Sequence, residues 1–265
     1  VRAYTATRCI RTISELYDLP VNDDLAHLRI DYDGDPLDLA VIGSDPMRCF
    51  STWFDDATLR PQVAEANAMS LATCTPDGTP SVRMVLLKQL DERRAAFGFY
   101  TNLDSRKAHE ARSLDRAALC WWWPGTPGRQ VRVVGRVEPI DRQAAAEYFD
   151  SRPVDARIGA IASVQSRAIV DRQELDQACA RSEDPAPKIP DFWGGMWVVA
   201  DEIELWQGRH GRLHDRIVFL RLDEDRQVCS RAAVAAAGGD DQLARCATAV
   251  VDPHGTSWLR ARLAP

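Results

Sequence analysis

In the run WQGRHGRLHDR (206–216), Arg212, His214 and Arg216 stand two residues apart, the period that lines one face of a β-strand. Like charges so placed repel unless acidic side chains neutralise them or an anion lies among them. Two readings follow: cross-strand pairing with Glu202 or Glu204, or an anionic ligand. Further cations stand at Arg83 and Lys88 in RMVLLK, at Arg106 and Lys107 in YTNLDSRKAH, and at Arg152 in YFDSRP. DSRK follows a strand pattern and opens a helix pattern, so free backbone N–H groups, the positive dipole end and two cations would converge on a phosphate. The plain alternative is a solvated helix start. Arg83 and Lys88, five apart, face opposite sides of a regular strand, so they share a ligand only if a bulge or the strand's end falls between them. Otherwise they pair with surface acids. His214, between two arginines, is expected to be neutral. Trp206 adjoins the cationic strand, whereas Trp121 to Trp123 reads as core and edge packing. These residues point to a phosphorylated ligand and, by themselves, to no reaction.

Other chemistries find little support. There is no HExxH or Cys/His cluster at ligand spacing, so no metal site is expected, and no Ser-His-Asp or Cys-His arrangement can be read. With 33 Lys and Arg against 39 Asp and Glu, a net charge of -6 argues against a surface built for nucleic acid. The seven cysteines are scattered and odd in number, which predicts reduced thiols in an intracellular, cytoplasmic protein. No apolar run approaches a membrane span, so a soluble protein with no membrane partner is expected. The start carries Arg2, Arg8 and Arg11 before its first acid, Glu15; a frayed terminus is the plain reading, and organelle targeting by this arm stays open.

The elements that must carry the cations follow from periodicity. An N-terminal arm (1–44) precedes the main domain (45–265). DPMRCFSTWFDDA offers Asp45 as N-cap and Pro46 at the first helical position, with Met47, Phe50 and Phe54 near helical spacing. AMSLATC and SVRMVLLKQL flank a Pro-Asp-Gly turn at 76–78, a hairpin signature. A strand at 95–100, a short helix in SRKAHEARSL, and strands in AALCWWW and RQVRVVGRVEPI follow, the last with Val131, Val133 and Val137 inward. Residues 141–183 read as helical, 185–190 as a break, 197–206 and 213–222 as strands, 224–256 as a variable loop, and SWLRARLAP as a closing strand. Antiparallel strands with interspersed helices and no βαβ rhythm predict a mainly β, α+β fold, a closed or split antiparallel barrel.

The runs NAMSLATCTPDGTPSVRMVLLK, FYTNLDSRKAHE, RQVRVVGRVE, YFDSRP, IGAIASVQS, FWGG and IELWQGRHGRLHDR...WLRARLAP, in this order and spacing, resemble the pyridoxine/pyridoxamine 5'-phosphate oxidase family from about Leu28 to the C-terminus, without most of 224–256. The resemblance implies an FMN-binding split barrel, a homodimer with two flavin sites at its interface, and oxidation of phosphorylated B6 vitamers by oxygen to pyridoxal phosphate and hydrogen peroxide. It implies flavin contacts at Arg83, Met84, Val85, Leu86, Leu87, Lys88, Tyr100, Thr101, Arg106, Lys107, Gln130, Gln165, Ser166, Trp206 and Arg216. Substrate contacts are implied at Arg29, Tyr32, Lys88, Tyr148, Arg152, Arg212 and His214, with Arg212 and His214 in the catalytic role. Three positions depart from the family pattern: Ala156 and Arg157 stand where Ser and Gln are usual, and Arg167 where a serine is. Two other functions share the features: a phenazine-biosynthesis-type flavin oxidase, and a non-catalytic pyridoxal phosphate-binding protein.

Overall fold

The longest strand of the molecule, β7 (Trp193–Gln207), is buried along almost its whole length and hydrogen-bonded on both edges, as its near-continuous apolar sequence requires. One edge pairs antiparallel with β6 (Arg129–Pro139) throughout. The other is divided: residues 193–199 pair with β4 (Ala96–Asn102) and residues 202–207 with β8 (Asp215–Arg221). The computed structural model describes residues 30–180 and 187–265, and within these Tyr32–Pro265 form one compact unit.

The full sheet is antiparallel and runs β2-β1-β5-β6-β7-β8-β10-β9, with β4 on β7 and β3 (Gln89–Asp91) on β4. It does not close. β1 (Ala68–Cys74) and β5 (Arg116–Trp123) alternate buried and less buried residues, the period of strands with one face in the core. β1 turns into β2 (Pro80–Leu86) through the expected Pro-Asp-Gly turn, where Gly78 takes φ 87°, a conformation favouring glycine. Helix α2 (Pro46–Thr58) starts where expected: the Asp45 carboxylate accepts from the Met47 and Arg48 N–H groups. It plugs the sheet with Met47, Phe50 and Trp53, and the Phe50 ring stands 4.9 Å from Trp121 and 5.0 Å from Phe97. Around the site lie α3 (Arg106–Leu114), α4 (Arg142–Ser151), α5 (Val154–Ala162) and α6 (Arg172–Ala180).

Three expectations are corrected. First, Arg212, His214 and Arg216 do not share a strand: Arg212 sits in a 3-10 turn (His210–Arg212) with φ 62°, and β8 begins only at Asp215. Glycines 208 and 211 and the turn they permit outweigh the two-residue spacing. Second, residues 224–256 are not a loop. They hold α7 (Arg231–Ala236), α8 (Asp240–Cys246) and β9 (Thr248–Val251), the last paired with β10 (Ser257–Leu263). Val234 and Leu243 cover Val218, Leu220 and Ala261 on the outer face of β8 and β10, forming a second small core. Third, the arm expected to end at residue 44 joins the body at Tyr32: a short helix α1 (Leu39–Ile42) follows Asp38, and Leu37 and Ile42 enter the main core. No described helix is long and apolar enough to cross a membrane, and the six cysteines among the described residues are free thiols.

The junction where β7 exchanges partners faces a bulge in β6 between Val134 and Gly135. A Cβ on Gly135 would stand 2.1 Å from the Val199 carbonyl oxygen, closer than any real contact, and both atoms belong to hydrogen-bonded strands. Gly135→Ala is therefore expected to lower stability by roughly 1–3 kcal/mol, read as a fall in the thermal midpoint; an unchanged midpoint would show that the bulge yields freely.

Candidate active site

A cavity of about 450 Å³ opens between the end of β2, β4, the start of α3, and α4 with α5. Among the described residues its lining includes Lys88, Lys107 and Arg152 and not one carboxylate, although the chain as a whole is acidic. The Lys107 ammonium donates to Gln165 Oε1 at 2.6 Å and to the Thr101 and Ser105 hydroxyls at 3.3 Å. These partners are neutral. Burial, with the Arg83 charge nearby, holds the Lys107 pKa below its ordinary value. The Arg152 guanidinium lies 5.3 Å over the Trp193 ring and 5.8 Å from that of Phe149, and burial lowers its pKa too, against the pull of Tyr148. Its Nη1 is buried without a hydrogen-bond partner among the described residues, a costly state unless an anion completes it.

Local structure brings these groups together. β2 ends at Leu86; Leu87 tucks inward and donates its N–H to the Asn67 carbonyl, and the Lys88 N–H reaches the Gly98 carbonyl on β4. The strand's end thus falls between Arg83 and Lys88. Lys88 lines the cavity with Met84, Val85 and Leu86. On β4, Tyr100 stacks on Tyr148 (4.1 Å, 10°) and on Trp193 (5.3 Å, 5°), a flat aromatic shelf. The shelf needs Gly195, because a Cβ there would stand 2.8 Å from Tyr100 and 2.6 Å from Ile140. Burial and the neighbouring Tyr148 raise the Tyr100 pKa.

Arg83 and Arg106 flank the cavity without lining it. Both turn to Glu110, which also accepts from the Thr73 and Ser81 hydroxyls. Burial would raise the Glu110 carboxyl; hydrogen bonds from Ser81, Thr73 and Arg106 and the Arg106 charge outweigh it and hold the pKa at about 2. Ser166, at φ 72°, accepts from the Arg106 N–H at 3.2 Å.

A second group lies at the far end of β7. Strand register aligns Trp122, Gln130, Trp206 and Arg216 in one row across β5, β6, β7 and β8. Tyr32 meets Trp122, Trp206 and His214 edge-on at 6.3, 5.7 and 5.8 Å. Only glycine fits beneath it: a Cβ at Gly208 would stand 2.5 Å from Tyr32, and one at Gly128 2.7 Å. Arg216 is gripped by Glu204 through Nε (3.0 Å) and Nη2 (3.1 Å), while its Nη1 donates to the Ala264 carbonyl. Cross-strand neutralisation therefore holds for Arg216. Arg212 is exposed. His214 Nδ1 accepts the Arg209 N–H at 3.1 Å, which leaves the neutral ring's proton on Nε2. Asp215, beside it, takes the Leu37 N–H at 3.0 Å, Arg209 Nη1 at 3.3 Å and Arg262 Nη1, tying the loop to the chain that carries Tyr32.

The expected site residues thus fall into two sets. Met84, Val85, Leu86, Lys88, Tyr100, Thr101, Lys107, Tyr148, Arg152 and Gln165 line the cavity. Tyr32, Gln130, Trp206, Arg212, His214 and Arg216 belong to the other end. Trp193, which also lines the cavity, and Trp206 of the second set are thirteen positions apart on one strand, about 40 Å along it. Leu87 packs into the core, and Arg29 lies outside the described residues. Sequence reasoning missed Asn102, Trp193, Gly159, Ala160 and Ser163 in the lining; Gly159 and Ala160 belong to the last turn of α5 and Ser163 caps it. It also missed Glu110, whose position four after Arg106 was a readable signal. Arg157 turns to Asp150 at 3.8 Å, with its Nε buried and unpartnered.

Comparison with known proteins adds a family. A model described as Pyridoxamine 5'-phosphate oxidase matches residues 56–183, and one described as Pyridoxine 5'-phosphate oxidase C-terminal dimerisation region matches 193–265. A pyridoxine/pyridoxamine 5'-phosphate oxidase of Trichormus variabilis is 44% identical over 205 residues, covering 76% of this chain and 94% of its own. One of Pseudomonas paraeruginosa is 43% identical over 208 residues, covering 77% and 95%. Among solved structures, PhzG from Burkholderia lata in complex with tetrahydrophenazine-1-carboxylic acid superposes with TM-score 0.68 at 24% identity, covering 88% of this chain and all of that one. A pyridoxamine 5'-phosphate oxidase-related, FMN binding protein of Nostoc punctiforme gives 0.57 at 18% identity, covering 69% and 94%. These two show a shared fold.

Burial and the Arg212 charge both lower the His214 pKa, so the imidazole is neutral at pH 7. Removing the charge in Arg212→Ala should raise that pKa while the burial contribution keeps it below the ordinary value. Imidazole titration by NMR checks this. A value unmoved or lowered in the variant would separate the two side chains electrostatically.

Proposed function

Because the chain belongs to the pyridoxine/pyridoxamine 5'-phosphate oxidase family, we propose that it is an FMN-dependent oxidase converting pyridoxamine 5'-phosphate and pyridoxine 5'-phosphate to pyridoxal 5'-phosphate with oxygen, releasing hydrogen peroxide and, from the amine with uptake of one water, ammonia. The observation that carries this reading is the cavity with three cations and, among the described residues, no carboxylate in its lining. A phosphorylated flavin and a phosphorylated substrate each need positive charge, at separate points beside flat aromatic surface. The residues present fit such ligands: Lys107 has only neutral partners, and Arg152 has a buried donor to spare.

When bound, FMN supplies the two-electron chemistry, accepting a hydride from the substrate's 4' carbon and passing the electrons to oxygen. The protein binds and orients. Lys107, Thr101, Gln165 and Ser166, with Arg83 and Arg106 at the rim, would hold the cofactor's phosphate, and the run Met84 to Leu86 would lie along its ring. Lys88, Tyr148 and Arg152 would take the substrate. Arg152 does so at little entropic cost, since its guanidinium is already held over Trp193. The second set would complete this site from another copy of the chain: its Gln130, Trp206 and Arg216 toward the flavin, its Tyr32, Arg212 and His214 toward the substrate. His214 offers a neutral Nε2–H donor, and Arg212, exposed on its turn, adds charge to a phosphate ester. A homodimer with two shared sites follows, which agrees with the dimerisation-region match over 193–265.

Two experiments test these points. Under anaerobic conditions, addition of pyridoxamine 5'-phosphate to the purified yellow protein should bleach the flavin absorbance near-stoichiometrically, and air should restore it with release of peroxide. Pyridoxal phosphate binding without bleaching would instead indicate a carrier, and a flavin left oxidised by both vitamers would end the substrate assignment. For the shared site, a Lys107→Ala chain and a His214→Ala chain, each nearly inactive alone, are unfolded and refolded together. Hybrid dimers carry one intact site, so the mixture should recover about a quarter of wild-type activity; no recovery, with hybrids present, would place both sets in the same subunit's site.

A further inference from the structure

Glu110 lies one helical turn after Arg106 on α3 and is 5% exposed. Its Oε1 accepts from Arg106 Nε at 2.6 Å; its Oε2 accepts from the Thr73 and Ser81 hydroxyls and stands 3.3 Å from Arg83 Nη2. Groups from β1, β2 and α3 thus converge on one carboxylate. The two guanidiniums are held differently. Arg83 uses both terminal nitrogens inside the protein, Nη1 on the Leu71 carbonyl (3.1 Å) and Thr73 (2.6 Å), Nη2 on Ser81 and Glu110. Arg106 is gripped by its Nε alone, its side chain is 58% exposed, and its Nη pair makes no hydrogen bond among the described residues.

We propose that Glu110 is a positioning residue for the phosphate end of the cofactor site, fixing Arg106 by Nε so that its Nη pair is presented, next to Lys107, to the terminal phosphomonoester of FMN. The role rests on the FMN reading above. An unrestrained arginine surrenders rotamer freedom when it binds, and one already held by a carboxylate surrenders less. The charge also suits the ligand: Arg83, Arg106 and Lys107 with one carboxylate leave two positive charges, the complement of a phosphomonoester dianion. The depressed Glu110 pKa keeps that carboxylate ionised throughout the pH range in which the phosphate is a dianion.

The test titrates the flavin-stripped full chain with FMN and, separately, with riboflavin, following flavin fluorescence, in wild type, Glu110→Gln, Glu110→Asp, Arg106→Gln and the Glu110→Gln, Arg106→Gln double variant. Glutamine can still accept from Ser81 and Thr73, so the fold should survive. Glu110→Gln should weaken FMN binding about tenfold, as loss of a charge-assisted bond does, and leave riboflavin binding unchanged. In the Arg106→Gln background the same change should add little, because the effect passes through Arg106. Glu110→Asp, with its charge kept and its carboxylate drawn back by one methylene, should fall between. Equal losses of FMN and riboflavin affinity would mean that Glu110 only supports the fold, additive effects would mean that it does not act through Arg106, and unchanged or tighter FMN binding would make it a competitor of the phosphate; each overturns the proposal. Wild-type protein that binds riboflavin as well as FMN would overturn the phosphate site itself, and this role with it.

Discussion

A strand buried on both sides must satisfy every backbone N–H and C=O along both edges, and β7 does so with three partners. β6 takes one edge; β4 and β8 divide the other, the exchange falling opposite the β6 bulge at Val134 and Gly135. Both groups of candidate site residues are placed by that division. The β4 end carries Tyr100 and Thr101 to the cavity, and the β8 end carries Trp206 and Arg216 in register with Gln130. The two groups of candidate residues therefore stand at opposite ends of one strand, and the shared-site reading proposed above uses a second copy of the chain to join them.

Charge is distributed by the same logic. Three buried carboxylates each bind two guanidinium groups: Glu110 holds Arg83 and Arg106, Glu204 holds Arg132 and Arg216, and Asp215 holds Arg209 and Arg262. Burying such a carboxylate is tolerable only with full hydrogen bonding, and each has at least three donors. The cavity is the contrast. Lys88, Lys107 and Arg152 line it with no carboxylate among the described lining residues, which is the charge pattern that the proposed anionic ligands would complement. Arg216 belongs to the first class, which limits it to its remaining Nη hydrogens when a ligand approaches.

Much of the scaffold was legible. Asp45 and Pro46 announced α2, the Pro-Asp-Gly turn announced the first hairpin, and the alternation of Val131, Val133 and Val137 announced β6. Residues 224–256 were not legible, because an Ala-rich, Gly-broken segment has helix-forming residues but too few apolar ones to show a periodic face. Its helices exist because the outer faces of β8 and β10 present Val218, Leu220 and Ala261, which Val234 and Leu243 cover. That demand comes from strands distant in sequence. Short helices gain most of their stability from packing, so propensity in the segment could not announce them.

The sequence by itself determined the types and local order of the groups: cations beside a helix start at Arg106 and Lys107, glycines where Tyr32 and Tyr100 need room, a carboxylate four residues after Arg106, and enough motif to identify the family. Only the tertiary structure decided which cations are free. Arg212, His214 and Arg216 looked equivalent at two-residue spacing, yet one lies on a turn, one accepts a backbone hydrogen bond and one is held by Glu204. Spacing fixes where side chains start, whereas the buried partner that neutralises a charge comes from another strand, and pairing across strands is settled by the packing of the whole sheet.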